Sequence, residues 1–357
     1  MQKLHNRIFT ISKIFGLHSA KSEHKLKKLI IMYNVILILA YVIILRFRFD
    51  DVDSTSLETV NKTMLNLRLA VYAALFLANI LSNWLYSKKI QKYFKRLLLF
   101  DENLTNYGFV LNINKIKKYF HVSFAASILF FLYVAVFDCV YDVIIEENVS
   151  FAHWFSLFIP FLSCYYSCFF MVVTLCLLRV RYSLLVSFLN KILTAKSLIY
   201  MNMENLTVVK AYANCFITLN KIVKSLISKF SLQICSLFLI TSATLTNNLY
   251  LLVKEEFEFP EHLLLYNLFI MKLTEIVAVV LAHYQIQLKI NIIKNLAPHL
   301  TRLNCGVNKH RPIQLMECYL LIDRSDVCVQ VFGMFTVDPS NLFVIGTWMI
   351  SYLVIMV

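Results

Sequence analysis

The residues that decide the fold are FAHWFSLFIPFLSCYYSCFFMVVTLCLL at positions 151–178, a run of 28 residues without a single Asp, Glu, Lys or Arg. A helix of about 20 apolar residues is enough to cross the hydrocarbon core of a bilayer. The rest of the 357-residue chain has the same character, with 59% hydrophobic and only 16% charged residues, against about 25% charged in a soluble domain. The composition therefore predicts an integral membrane protein.

Six other apolar runs have a comparable length, so we expect seven membrane spans. These runs cover residues 29–45, 65–86, 119–141, 231–253, 262–284 and 341–357. Helices are expected, because isolated strands would leave unpaired edges in lipid and a β-barrel would show short alternating segments. We predict an all-α, polytopic membrane protein with seven transmembrane helices.

The basic residues indicate how these helices are oriented. One set of connecting segments carries 29 Lys and Arg and the alternate set carries 4. The basic set comprises residues 1–28, 87–118, 179–230 and 285–336, and the other set comprises residues 46–64, 142–150 and 254–261. Because loops rich in Lys and Arg stay in the cytoplasm, the N-terminus is predicted to be cytoplasmic and the C-terminus extracellular. This orientation disfavours a G-protein-coupled receptor, whose N-terminus is outside.

The net charge of +14 is spread between the spans, whereas a nucleic-acid-binding protein concentrates its basic residues on one face. We therefore expect the lipid bilayer, and no nucleic acid, as a partner.

The chain divides into four predicted parts: a cytoplasmic N-terminus (1–28), a six-helix transmembrane bundle (29–284) with the cytoplasmic loop 179–230, a second cytoplasmic loop (285–336), and the seventh helix (337–357). Apolar residues recur at helical spacing within 179–230, for example Leu184 and Phe188. Such segments either pack into a helical subdomain or lie on the inner leaflet. Their broad apolar faces favour packing.

The predicted topology leaves two glycosylation sequons outside the cell. Asn61 and Asn148 begin Asn-x-Ser/Thr sequons in predicted outer loops, whereas the sequons at Asn103 and Asn205 are predicted to be cytoplasmic. The basic N-terminus lacks the features of a cleavable signal peptide, so the first span is expected to act as the insertion signal.

No motif in the sequence indicates an enzyme or a metal site. Cys164 and Cys168 are four residues apart on one helix face, but a free Cys commonly packs as a small hydrophobic residue. Neither a zinc-ligand spacing nor a phosphate-binding loop, nucleophile elbow or His-Glu-x-x-His sequence occurs. We expect a protein without catalytic activity, metal or cofactor.

Four ionisable residues fall inside the predicted spans: Arg68, Asp138, Lys272 and Glu275. Lys272 and Glu275 lie in the middle of the sixth span on one helix face, where they indicate either a polar cavity or a structural ion pair. Aromatic and amide residues at the outer ends of the spans either line the same cavity or form an interfacial belt. The candidate ligand-binding residues are Tyr72, Asp138, Trp154, Asn247, Tyr250, Tyr266, Lys272 and Glu275.

The last span begins with Asp338-Pro339, which is typical of a capped helix N-terminus. Thr347, Ser351 and Val354 then form a stripe of small and hydroxyl residues. Such a stripe suits close helix packing or the wall of a pore shared between subunits.

The C-terminal region resembles the signature of insect gustatory receptors. The residues that carry the resemblance are Gly333-Met334-Phe335-Thr336-Val337-Asp338, Leu342-Phe343 and Ser351-Tyr352-Leu353-Val354-Ile355-Met356-Val357. The family pattern is Thr-Tyr, five hydrophobic residues and Gln-Phe, so Ser351 replaces the Thr while Tyr352 and the five hydrophobic residues match. The sequence ends at Val357, where Gln-Phe would follow, and we therefore expect a truncated seventh helix.

The resemblance implies a tastant-gated, non-selective cation channel that mediates acceptance or avoidance of chemical stimuli. It implies a homo- or hetero-tetramer with other gustatory receptors in the plasma membrane of sensory dendrites, with the loop 285–336 as an anchor between subunits. The implied pore residues are Thr347, Ser351, Tyr352, Val354, Ile355 and Val357. The alternatives are an odorant receptor of the same superfamily or a secondary transporter in which Lys272 and Glu275 couple ions.

Overall fold

The computed structural model describes residues 32, 35–36, 38–46, 59–109, 112–145, 151–194, 203–254, 259–301, 311–325, 330–331 and 335–356. Almost all of them are helical, which confirms the predicted all-α class. The helices are α1 (38–46), α2 (Thr59–Asn106), α3 (Ile113–Ile145), α4 (Phe151–Thr194), α5 (Met203–Lys254), α6 (Phe259–Leu296), α7 (Pro298–Thr301), α8 (Arg311–Asp323) and α9 (Ser340–Met356). Two short strands, β1 (Gln330–Val331) and β2 (Phe335–Thr336), pair antiparallel.

Four helices of the described chain contain segments long and apolar enough to cross a membrane. These segments are Lys118–Phe137, Ile159–Thr194, Leu206–Tyr250 and Tyr266–Thr301, and Ser340–Ser351 forms a shorter apolar helix. Every described residue of the seven predicted spans is helical. The first span is described only in part, and residues 1–28 lie outside the described chain. The orientation and the division of the chain into domains stay predictions.

Helices α4 and α5 continue far beyond the spans predicted for them. They contain 44 and 52 residues, which correspond to about 66 Å and 78 Å at 1.5 Å per residue. The predicted loop 179–230 is therefore formed mostly by the end of α4 and the beginning of α5. Leu185 and Leu189 of α4 and Val209 and Phe216 of α5 are fully buried there. The prediction of packed helices, rather than helices on the leaflet surface, is confirmed.

A buried ion pair joins α2 to α4 in this predicted cytoplasmic region. The Arg181 Nε and Nη2 atoms donate to the two carboxylate oxygens of Asp101 at 2.8 and 2.6 Å, and Nη1 donates to the Leu177 carbonyl at 2.9 Å. The Arg181 side chain is fully buried. A guanidinium held by a bidentate carboxylate is the arrangement in which an ion pair best offsets its desolvation.

A hydrogen-bonded chain ties α8 to the same region. The Tyr182 hydroxyl of α4 donates to the Asn220 side-chain oxygen of α5 at 2.6 Å. The Asn220 amide in turn donates to the carbonyl and hydroxyl oxygens of Ser325, just after α8, at 3.2 and 3.0 Å. Because Tyr182 and Asn220 are buried, these bonds fix the end of α8 against α4 and α5.

Gly108 ends α2 through its backbone conformation. Its φ angle is +79°, in the left-handed region that glycine adopts without a Cβ penalty. The Phe109 amide donates to the Leu104 carbonyl at 3.1 Å and the Gly108 amide donates to the Thr105 carbonyl at 2.9 Å. These are the two bonds of a Schellman motif, and Phe109 then packs on Phe188 of α4 with ring centroids 4.4 Å apart.

Candidate functional site

The site begins with an ion pair inside the apolar part of α6. The Lys272 Nζ atom donates to both carboxylate oxygens of Glu275 at 3.0 Å, as the spacing of three residues allows. The two residues are only 1% and 3% exposed. Both ions have therefore lost their water, which is costly unless the ions remain paired and receive further polar contacts.

Helix α4 supplies the surroundings of this pair through Phe161, Cys164 and Cys168, which share one helix face. The Phe161 ring lies 4.2 Å from the Lys272 Nζ atom, a cation–π distance. The Cys168 thiol donates to the Glu275 backbone carbonyl at 3.5 Å, and the Asn79 amide of α2 donates to the Cys164 sulfur at 3.6 Å. The pair is thus enclosed by α2, α4 and α6.

A small cavity opens beside Lys272 with a volume of about 20 Å³. Its polar lining is Asn79 from α2, Ser167 from α4, Gln233 and Thr241 from α5, and Lys272 from α6. The Thr241 hydroxyl is buried and has no hydrogen-bond partner among the described residues. The cavity has room for one water, whereas a site for a drug-sized ligand occupies at least about 300 Å³.

The other candidate ligand residues are not shown to converge on this cavity. Tyr250 of α5 is buried, whereas Tyr266 of α6 is 52% exposed. Tyr72, Asp138, Trp154 and Asn247 lie on α2, α3, α4 and α5, but their side chains are outside the described part of the structure, as are Arg68 and the sequons at Asn61 and Asn148. The assignment of these residues to ligand binding stays a prediction.

Sequence analysis missed Ser167, Gln233 and Thr241 as cavity residues. They are uncharged and not aromatic, so neither a charge nor a ring marks them within the spans. A usable signal was present, because Gln233, Leu237 and Thr241 repeat every four residues and place two polar side chains on one apolar helix face.

Cys164 and Cys168 also line the cavity. Among the described residues, no cluster of His, Cys, Asp or Glu is arranged to hold a metal.

The N-terminus of α9 carries the predicted cap. The Asp338 carboxylate accepts the Ser340 amide at 2.8 Å and the Thr336 hydroxyl at 2.9 Å, and it also accepts the Ser340 hydroxyl. The Asp338 amide donates to the Asn341 side-chain oxygen at 2.8 Å, which completes a reciprocal capping box. The donated hydrogen bonds, foremost that of the Ser340 hydroxyl, hold the pKa of Asp338 below its ordinary value.

Helix α9 has one face packed on its own chain and one face left open. Leu342 and Ile345 pack against the main core, and Met349 is buried. The predicted pore residues Thr347, Ser351 and Val354 are exposed. Of the remaining pore candidates, the side chains of Tyr352 and Ile355 and the whole of Val357 lie outside the described residues. The prediction that these residues line a pore stays open.

Helix α6 comes close to the segment that precedes α9. His283 of α6 is buried near Val337 and Asp338, and neither of its ring nitrogens has a hydrogen-bond partner among the described residues. Val337 is itself buried against the core. The helix that carries Lys272 and Glu275 therefore passes near the cap of the candidate pore helix.

These features define a polytopic helical membrane protein with a buried polar cavity and an apolar helix that is open on one side. No family model matches the sequence. No curated protein sequence matches it significantly either.

Over its whole length, however, the fold is that of solved insect olfactory receptors. The structure of the olfactory receptor OR5 from Machilis hrabei in complex with eugenol aligns with 99% of this chain and 97% of its own, with a TM-score of 0.70 and 14% identity. A second structure of the same receptor aligns with 100% of this chain and 98% of its own, with a TM-score of 0.68 and 12% identity.

Proposed function

We propose that the chain is one subunit of a ligand-gated, non-selective cation channel and that α9 lines the pore. The observation that carries this proposal is the fold similarity to an insect olfactory receptor over 99% of the chain. The open face of α9 supports it, since Thr347, Ser351 and Val354 present two hydroxyl groups and one apolar group in a row. A stripe of this kind suits the wall of a pore shared between subunits or close packing on a neighbouring subunit.

A tetrameric assembly, homomeric or with other receptors of the same kind, accompanies this proposal. In the predicted cytoplasmic region α6 exposes Leu288 and Ile292, and α8 exposes Ile313 and Met316. Apolar side chains that are exposed outside the bilayer usually mark a protein interface. These residues therefore support an anchor in which neighbouring subunits meet.

The chain is proposed to be a gustatory receptor of the plasma membrane in sensory dendrites, responding to a small-molecule tastant. The support for this subclass is the C-terminal motif, in which Ser351-Tyr352 and five hydrophobic residues follow the gustatory pattern. The odorant alternative shares the fold and the gating scheme and differs in the ligand.

The ligand is proposed to bind beside Lys272, where α2, α4, α5 and α6 enclose the cavity. Met171 and Leu237 also line it, and a flexible Met side chain adapts easily to a guest. Expansion of the cavity would displace α6, and because His283 of α6 lies near Val337, just before α9, that displacement would reach α9.

The decisive experiment is whole-cell recording from cells that express the chain, with a panel of sweet, bitter and volatile compounds. A ligand-evoked cation current is expected, and coupled uptake without channel current would instead support a transporter.

Pore lining is tested with Ser351→Cys, which is expected to become sensitive to a charged thiol reagent. Met349→Cys, on the packed face, is the matched control, and the wild type controls for native Cys176, which is exposed. Equal block of both variants would refute the proposed face.

A further inference from the structure

We propose that the cavity beside Lys272 recognises a short-chain carboxylic acid in its undissociated form; this inference rests on the proposed function. The starting observation is an asymmetry of the ion pair. Lys272 lines the cavity, whereas Glu275 does not. A ligand that enters therefore meets the cation of the pair first, which favours an acid over an amine.

The uncharged lining also suits a carboxyl group. Asn79 and Gln233 carry amide donors, and Ser167 and Thr241 carry hydroxyls. The Thr241 hydroxyl is fully buried without a partner among the described residues, and a buried polar group of this kind costs free energy until it is satisfied. A carboxyl group has two oxygens, which can take a hydrogen bond from Lys272 and from Thr241 together.

The protonation state follows from the charge of the site. The Lys272–Glu275 pair is neutral as a whole, and a carboxylate anion would leave one net negative charge in the apolar interior, which is costly. An undissociated acid adds no net charge. Its proton moves from the ligand oxygen to a Glu275 carboxylate oxygen. The Lys272 ammonium then forms its ion pair with the ligand carboxylate instead of with Glu275. One O–H bond breaks, one O–H bond forms, and one ion pair replaces another.

The size of the cavity limits the acid to a short chain. The cavity of about 20 Å³ has room for one water, so even the carboxyl head of the ligand has to expand it slightly. The tail has to displace the neighbouring apolar side chains, Met171 and Leu237. Acetic, propanoic and butanoic acids are therefore the probes of choice.

The other titratable groups that face the pair do not produce the same pH dependence. Cys164, Cys168 and Tyr165 of α4 lie near the pair, and Tyr41 of α1 lies near Cys164. Thiol and phenol groups ordinarily titrate above about pH 8. The residues that α2 and α5 contribute to the cavity are uncharged. Between about pH 5.5 and 6.5 the ionisation of the ligand is therefore the variable that changes.

The test measures whole-cell currents evoked by the three acids and their methyl esters at about pH 5.5 and 6.5, with a strongly buffered internal solution. For the wild type, the half-maximal total concentration of each acid is expected to rise about tenfold per pH unit, because the undissociated fraction falls by that factor. The esters lack the proton and are expected to be much weaker at both values. A half-maximal acid concentration that does not change with pH, or esters as potent as the acids, would overturn the proposal.

Glu275→Gln gives the sharper result, because it leaves Lys272 as an uncompensated buried cation. The carboxylate anion then neutralises the site, so the half-maximal concentration of the acid is expected to become independent of pH. Retention of the wild-type pH slope in this variant would contradict the proton transfer to Glu275.

If Glu275→Gln does not reach the cell surface, Thr241→Val provides a second measurement. Loss of one hydrogen bond is expected to raise the half-maximal acid concentration about three- to tenfold. Thr274→Val, at an exposed position of α6, is the matched control and is expected to respond as the wild type does. Equal responses of the two variants would overturn the proposed contact.

The uncharged and amine compounds in the panel of sweet, bitter and volatile compounds separate the two proposals. If such ligands evoke currents and the acids do not, the acid inference is wrong and the channel function stands. If surface-expressed protein gives no current with any ligand, the proposed function itself is wrong.

Discussion

Removal of the Arg181 side chain should strongly destabilise the protein. In Arg181→Met, the Asp101 carboxylate loses the two hydrogen bonds at 2.6 and 2.8 Å but stays largely buried, with 11% of its side chain exposed. Removal of one partner from a buried ion pair costs about 3–5 kcal/mol. At about 2 °C per kcal/mol for a large chain, the thermal midpoint should fall by roughly 6–10 °C.

The assay is a thermal-stability measurement on detergent-solubilised protein, read as the monodisperse fraction in size-exclusion chromatography. The double variant Arg181→Met/Asp101→Leu removes both charges and should recover most of the loss, because two apolar side chains can replace a buried ion pair at little cost. Arg179→Met, two residues away at an exposed position, should change the midpoint by no more than about 1 °C. A double variant as unstable as Arg181→Met would refute the reasoning.

Three further outcomes are expected. Gly108→Ala should lose about 1 kcal/mol through backbone strain alone, because φ is +79° and no atom lies within 4 Å of an added Cβ; a neutral effect on the thermal midpoint would contradict this. Asp338→Ala should lose about 1 kcal/mol of helix capping. Since the folded-state pKa of Asp338 is depressed, that difference should be full above about pH 4 and shrink as the pH falls through the lower folded value; a difference that does not shrink as the pH falls would argue against it. On glycosidase treatment, Asn61→Gln and Asn148→Gln should each remove a mobility shift, whereas changes at the two predicted inner sequons should not; the opposite pattern would reverse the topology.

The helical spans were predictable because a bilayer requires helices of a certain length and an apolar composition, and both are visible as long apolar runs in the sequence. The run 151–178 and its counterparts fall on helices wherever the structure describes them. The packed ends of α4 and α5 were also predictable, since Leu185 and Phe216 belong to broad apolar faces. The cap at Asp338 followed from local chemistry, because the hydrogen bonds that form it join residues no more than three positions apart.

The cavity could not be assembled from the sequence, because its residues come from four helices. Asn79 and Thr241 are 162 positions apart in the chain, and only the packing of α2 against α5 brings both to Lys272. The Lys272–Glu275 contact was predictable from helical spacing, but the direction in which each side chain faces was not. Likewise, Asp101 and Arg181 lie in two different predicted cytoplasmic segments, 87–118 and 179–230, and only the structure shows them as a buried pair.

Helix α6 is long and unbroken, so a small tilt at the cavity corresponds to a larger displacement at the distant end of the helix. The helix runs through 38 residues, and Lys272 lies 24 residues before its end at Leu296, about 36 Å at 1.5 Å per residue. A tilt of about 5° at the cavity would move the far end of the helix by roughly 3 Å. Under the proposed function, a ligand that tilts α6 would therefore displace this end by about the width of an atom, without any chain of rearranging side chains.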